Sequence, residues 1–160
     1  MLKETEKLLL DALKQSLNPR ENPGHLSLPD NEYAKRVLVE TARKHAVLSL
    51  MFEVCEKEGI IGDTRYADFV LPIRQAAATT VRANYRLLFL AKYITQLLEK
   101  EGIRAILLKG AATASYYPVP ELRKSGDVDI LIPQGNDFGR AVELLEEAKF
   151  VRCESQSALH

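Results

Sequence analysis

Two aspartates, Asp127 and Asp129, stand one residue apart at the head of the apolar run Val128 to Ile132. Short β-branched or leucine-rich runs closed off by glycine or proline read as buried strands, and Gly126 and Pro133 close this one. A strand over 127–132 is therefore expected. Side chains two apart on a strand share a face. The two carboxylates should then lie side by side, with Val128, Ile130 and Ile132 turned into a core. Like charges at that separation repel, and a hard divalent cation, Mg²⁺ or Mn²⁺, relieves the repulsion through oxygen ligands. The chemistry such a pair supports is metal-assisted transfer at phosphorus.

A second apolar run, Ile106-Leu107-Leu108, ends in Lys109-Gly110-Ala111. Glycine after a strand lets a phosphate come close to the backbone. The N–H groups that open the helix-compatible stretch 111–117 would face an anion there. Lys109 supplies a positive charge, and the small side chains of Ala111 and Ala112 leave room. Arg123 lies in the polar passage before Asp127, where it either contacts a triphosphate or pairs with an acidic residue.

Leu108-Lys109-Gly110-Ala111, Tyr117-Pro118, Arg123 and Asp127-Val128-Asp129-Ile130-Leu131-Ile132 together resemble the pattern of the nucleotidyltransferase superfamily, and most closely that of its uncharacterised bacterial branch. The resemblance implies an α/β (α+β) fold, a nucleotidyltransferase-like mixed sheet with a helical N-terminal part. It implies Asp127 and Asp129 as catalytic metal ligands, and Lys109, Gly110, Ala111 and Arg123 as contacts to a nucleoside triphosphate. The sequence departs from the pattern at Ala111, where a serine is usual. The superfamily's third carboxylate is expected beyond residue 160 rather than at Glu154, so the chain reads as the N-terminal portion of a longer protein. The division expected is a helical region over 1–101 and the nucleotidyltransferase-like core over 102–160.

At 160 residues, with 46% apolar and 28% charged residues, the composition is that of a globular domain with a core of useful size. Formal net charge is zero, from 22 basic and 22 acidic residues, which argues against a broad nucleic-acid surface. Cys55 and Cys153 make no disulfide framework. No apolar run approaches the length of a membrane span, and Met1–Lys7 does not read as a signal peptide; a cytoplasmic protein is expected.

Apolar spacing predicts an amphipathic helix over 2–17. A second should be capped by Ser27-Leu28-Pro29-Asp30 and run to about His45, burying Tyr33, Val37, Leu38 and Ala42. A break near 45–47 is expected before Leu48, Met51, Phe52 and Cys55, with a stop at Gly59. Pro72 should sit in the first turn of a long helix that buries the stripe Ile73, Ala77, Val81, Asn84, Leu88, Ala91, Ile94 or Thr95, and Leu98 and ends at Gly102. Its Arg74, Arg82 and Arg86 form either a solvated face or an overhang above the phosphates. A strand over 103–108, a short helix over 111–117, the strand over 127–132 and a last helix from Asn136 follow, with a third strand starting at Phe150. Val142, Leu145 and Ala148 should form the inner face of that last helix, helped by Phe138 and Leu144. The reaction implied is Mg-dependent transfer of a nucleotidyl group from a nucleoside triphosphate to a hydroxyl acceptor. The competing readings are a non-catalytic interaction domain that retains the fold and a metal-dependent phosphohydrolase.

Overall fold

The computed structural model describes residues 4–22, 24–108, 113–114 and 116–153. In chain order these form α1 (Glu4–Leu17), α2 (Glu32–Lys44), α3 (Met51–Lys57), α4 (Ala67–Lys100), β1 (Ile106–Leu108), β2 (Asp129–Leu131) and α5 (Asp137–Glu147). Single 3₁₀ turns at Leu48–Leu50, Ile60–Gly62, Thr64–Tyr66 and Pro120–Leu122 join them.

Helix α2 starts one turn later than the Ser27 signal indicates. Asn31 is the residue with extended backbone (φ −78°, ψ 122°), and its side chain accepts the Tyr33 N–H at 2.7 Å. Both residue types can cap a helix; the one that does is next to the first buried turn. Tyr33 is 75% exposed, contrary to expectation, and Leu38, Val39 and Ala42 are the buried face. The helix closes where a break was expected: Ala46 takes φ 58° and the Val47 N–H returns to the Ala42 carbonyl at 2.9 Å.

Helix α4 runs for 34 residues, about 51 Å at ~1.5 Å per residue, and begins at Ala67, so Pro72 lies inside it rather than in its first turn. An interior proline costs about 3 kcal/mol. Phe69 and Val70, 4% and 3% exposed, bury on the turn before it. At roughly 1.5–3 kcal/mol each, they offset that cost. The far end is the expected glycine stop. Gly102 has φ 73°, and the Ile103 N–H bonds the Leu98 carbonyl at 3.0 Å.

One face of α4 serves three apolar clusters in succession. Ile73 belongs to the core formed with α1, α2 and α3, which includes Leu9, Leu38, Met51 and Val54. Ala77 joins Leu50 and Leu122. Ile94 and Leu98 join Ile103, Ala141 and Leu144, with Ile130 and Ile132 packed against them. The inner face of α5 is therefore Leu144 and Leu145, both expected, with Ala141 in place of Val142 and Ala148, while Phe138 is 62% exposed.

Among the described residues the sheet is a two-stranded antiparallel pair, with Ile106 opposite Leu131, Leu107 opposite Ile130 and Leu108 opposite Asp129. This corrects the mixed sheet expected from the sequence to a mostly helical α+β arrangement. Residues 150–153 form no strand, and Asp127 precedes β2 instead of lying on it. An apolar run records burial, whereas a strand also needs a neighbour in register, and among the described residues three of each expected strand, 103–108 and 127–132, find one. No helix of the described residues is long and apolar enough to cross a membrane.

Candidate functional site

A small cleft opens where the middle of α4 passes the sheet. Asn84, Tyr85, Leu87 and Leu88 of α4 form one wall and Leu107 and Leu108 of β1 another. Ala114, Pro120, Glu121, Ser125, Asp127 and Val128 complete it. The walls are mainly apolar, and the two charged residues that line it among those described, Glu121 and Asp127, are both acidic. Leu88 falls on the stripe expected to be buried, yet is 49% exposed, because the stripe meets this opening.

Asp127 is exposed on the cleft and Asp129 is half-buried at the head of β2, opposite Leu108. The expected alternation holds for Ile130 and Ile132, which pack on the cluster of Ile94 and Leu98, while Val128 lines the cleft. Lys109, Gly110 and Ala111 lie outside the described residues. Arg123 is not among the lining residues. Its Nη1 donates to Ser125 Oγ at 2.9 Å, and its guanidinium carbon sits 5.5 Å from the centre of the Tyr117 ring, a cation–π distance. Arg74 and Arg82 turn back to the backbone, donating to the Ile61 and Ala78 carbonyls at 2.7 and 3.2 Å, and with Arg86 stay off the cleft lining.

Two polar residues support this wall, Asn84, expected only as one position of the buried stripe, and Ser49, on which no expectation rested. Asn84 is only 8% exposed, and its Nδ2 donates to the Glu121 and Arg123 carbonyls, both at 2.7 Å. Ser49, 3% exposed, donates through Oγ to the Leu122 carbonyl at 2.7 Å. Three successive carbonyls are thus held from the helical part. The Asn84 Oδ1 is buried and accepts no hydrogen bond among the described residues, a cost of about 1–3 kcal/mol. That is comparable to the net gain of its two donor bonds at ~0.5–1.5 kcal/mol each. The signal in the sequence was a polar residue with poor helix propensity in the middle of an otherwise apolar stripe.

The remaining reactive groups lie elsewhere. Cys55 is buried, and burial pushes its thiol up to about 12, away from nucleophilic use. His25 sits 2.8 Å from Glu58 in the helical part.

The donor set is Asp127, which lines the opening, and Asp129, two residues on at the head of β2. Among the described residues no group of three or more His, Cys, Asp or Glu side chains could hold a metal ion. Two carboxylate residues nevertheless suit Mg²⁺, which keeps several of its waters and is completed by substrate phosphates.

A family model described as an uncharacterised nucleotidyltransferase matches residues 32–160, and the chain belongs to that family. Its general class of reaction is nucleotidyl transfer, which implies a nucleoside triphosphate as substrate. The match starts at the first residue of α2 and takes in α4, the cleft and both aspartates. No curated protein and no solved structure matches the chain.

Proposed function

We propose that the protein transfers a nucleotidyl group from a nucleoside triphosphate to a hydroxyl acceptor at the cleft bounded by α4, β1 and the 125–128 segment. The observation that carries this is the placement of Asp127 on the cleft and Asp129 at the head of β2, within the segment matched by the family. Asp127 and Asp129 are the residues that would hold Mg²⁺ or Mn²⁺, whose role is to offset phosphate charge and lower the pKa of the acceptor hydroxyl. In the reaction the acceptor hydroxyl gives its proton to water and its oxygen bonds to the α-phosphorus, the bond from that phosphorus to the oxygen bridging to the β-phosphate breaks, and pyrophosphate leaves with the electron pair. Lys109, Gly110 and Ala111 are assigned to the triphosphate. Arg123 is assigned to the same charge; its stacking on Tyr117 and bond to Ser125 limit its reach. In this reading residues 1–101 are the frame and 102–160 the nucleotidyltransferase-like core.

Calorimetry with ATP and MgCl₂ tests the assignment. Asp127→Asn and Asp129→Asn should each abolish Mg-dependent ATP binding, and each should change folding stability by no more than about 0.5 kcal/mol. Unchanged binding in both variants rejects the assignment. Variants that unfold instead make the aspartates structural. Binding that is intact in the native protein, without pyrophosphate release over a panel of hydroxyl acceptors, favours the non-catalytic interaction domain.

A further inference from the structure

We infer that Asn84, seconded by Ser49, is a positioning residue of the proposed site, holding the turn from which the Asp127 segment is hung. The inference rests on the reading of Asp127 as a functional group and adds a residue that reading does not require. Residues 124–128 belong to neither helix nor strand. Their path is fixed by what holds their two ends. At the far end β2 begins with Asp129, in register with Leu108. At the near end stands the 3₁₀ turn Pro120–Leu122, whose Leu122 is 5% exposed against Leu50 and Ala77.

Three hydrogen bonds lock that near end. Asn84 Nδ2 reaches the Glu121 and Arg123 carbonyls at 2.7 Å each, and Ser49 Oγ reaches the Leu122 carbonyl between them at 2.7 Å. Both protons of the Asn84 amide are used, so the amide cannot rotate without losing both bonds. Arg123 then ties on to Ser125 through Nη1 at 2.9 Å. The sequence from Asn84 to Asp127 is thus a short mechanical chain: helix side chain, turn carbonyls, Arg123, Ser125, cleft carboxylate. Asn84 and Ser125 also line the cleft together with Asp127. A packing residue at this point of the α4 stripe would be a leucine or alanine; an asparagine with a buried, unpartnered oxygen is kept for its two donors.

The test uses the full chain and two readouts. Asn84→Asp keeps the shape and sets an oxygen in place of the NH₂ group against two carbonyl oxygens, whereas Asn84→Leu, of similar volume and without donors, is the change that a residue needed only for packing would tolerate. Backbone amides of 121–128 should exchange with solvent about tenfold faster in Asn84→Asp, while amides of Leu38, Val54 and Ile73 keep their protection. ATP·Mg²⁺ titrated into the same variant should bind about tenfold more weakly. Ser49→Ala, which removes one bond of the three, should show the same pattern at smaller size, and decides the matter if Asn84→Asp fails to fold. Asp127→Asn should lose nucleotide while leaving exchange at 121–123 unchanged, which separates the site from its support. Unaltered exchange over 121–128 in Asn84→Asp and Ser49→Ala overturns the inference whether or not nucleotide binds. Faster exchange there with undiminished ATP·Mg²⁺ affinity overturns it too. A native protein that does not bind ATP·Mg²⁺ refutes the proposed function, and the exchange data then show whether the turn is held as described.

Discussion

The two ends of α4 lie in different surroundings. At its N-terminal end, Ile73 is enclosed with Leu38 and Met51, all 0% exposed, by side chains from α1, α2 and α3. At its C-terminal end, Ile94 and Leu98 cluster with Ile103, the short sheet, one side of α5 and Phe150 just after it. Tyr85, Leu88, Phe89 and Tyr93 stay exposed along the helix between and beside these ends, and Leu108 and Leu131 stay exposed on the strands. A two-stranded sheet is marginal by itself, and here it borrows its order from a helix already fixed at the other end. The cleft falls between the two regions, where the stripe of α4 passes from the closed core to the open one. The difference teaches how the parts divide the work. The closed core makes α4 rigid, and the open part can carry exposed carboxylates and irregular backbone because its near anchor is bolted to that helix.

Paired truncations probe this contrast. Leu38→Ala, in the closed core, should cost about 3–5 kcal/mol in denaturant unfolding. Leu144→Ala, whose surroundings border an open groove lined by Phe138, Val142, Leu145, Phe150 and Val151, should cost about 2 kcal/mol because the site can collapse. Equal losses would erase the distinction between the two regions. Gly102→Ala acts at the joint between α4 and β1. Nothing lies within 4 Å of an added Cβ there, so the penalty is the left-handed backbone alone (φ +73°), about 1–2 kcal/mol by thermal unfolding.

The joints were the most legible feature of the sequence. Gly59 and Gly102 were read as stops, and both take positive φ. Local rules failed where tertiary burial overrode them. Pro72 reads as a helix start, but Phe69 and Val70 draw the helix back past it into the closed core. Ser27 and Asn31 offer equivalent caps, and composition does not choose between them. Asn31→Ala should cost about 1 kcal/mol and Ser27→Ala less than about 0.5 kcal/mol, measured by thermal unfolding.

The acidic pair was legible as chemistry because two carboxylates one residue apart need a reason. The extent of strand pairing was not, since it depends on a partner strand's register. Asn84 was visible only as a position on a stripe; the carbonyls it holds belong to Glu121 and Arg123, far along the chain.

The smallest expected effect lies in the closed region. Glu58 accepts from or pairs with His25 at 2.8 Å, and that hydrogen bond, with the carboxylate's charge, raises the His25 pKa above 6.5. A raised folded-state pKa gives stability that is fully present below 6.5 and is lost as pH rises through the folded value. The melting temperature of the native protein should therefore exceed that of Glu58→Gln by more at pH 6 than at pH 8. An equal difference at both would remove the pair from the account of how the loop before α2 is tied to α3.

The site itself is tested most directly by amide NMR with ATP and a trace of Mn²⁺, which broadens signals near the bound ion. Broadening centred on Ser125 to Asp129 and reaching Asn84, Leu107 and Leu108 is the predicted result. Broadening at the surface carboxylates of α1 and α2, such as Asp11 and Glu40, with sharp signals over 125–129, would contradict it.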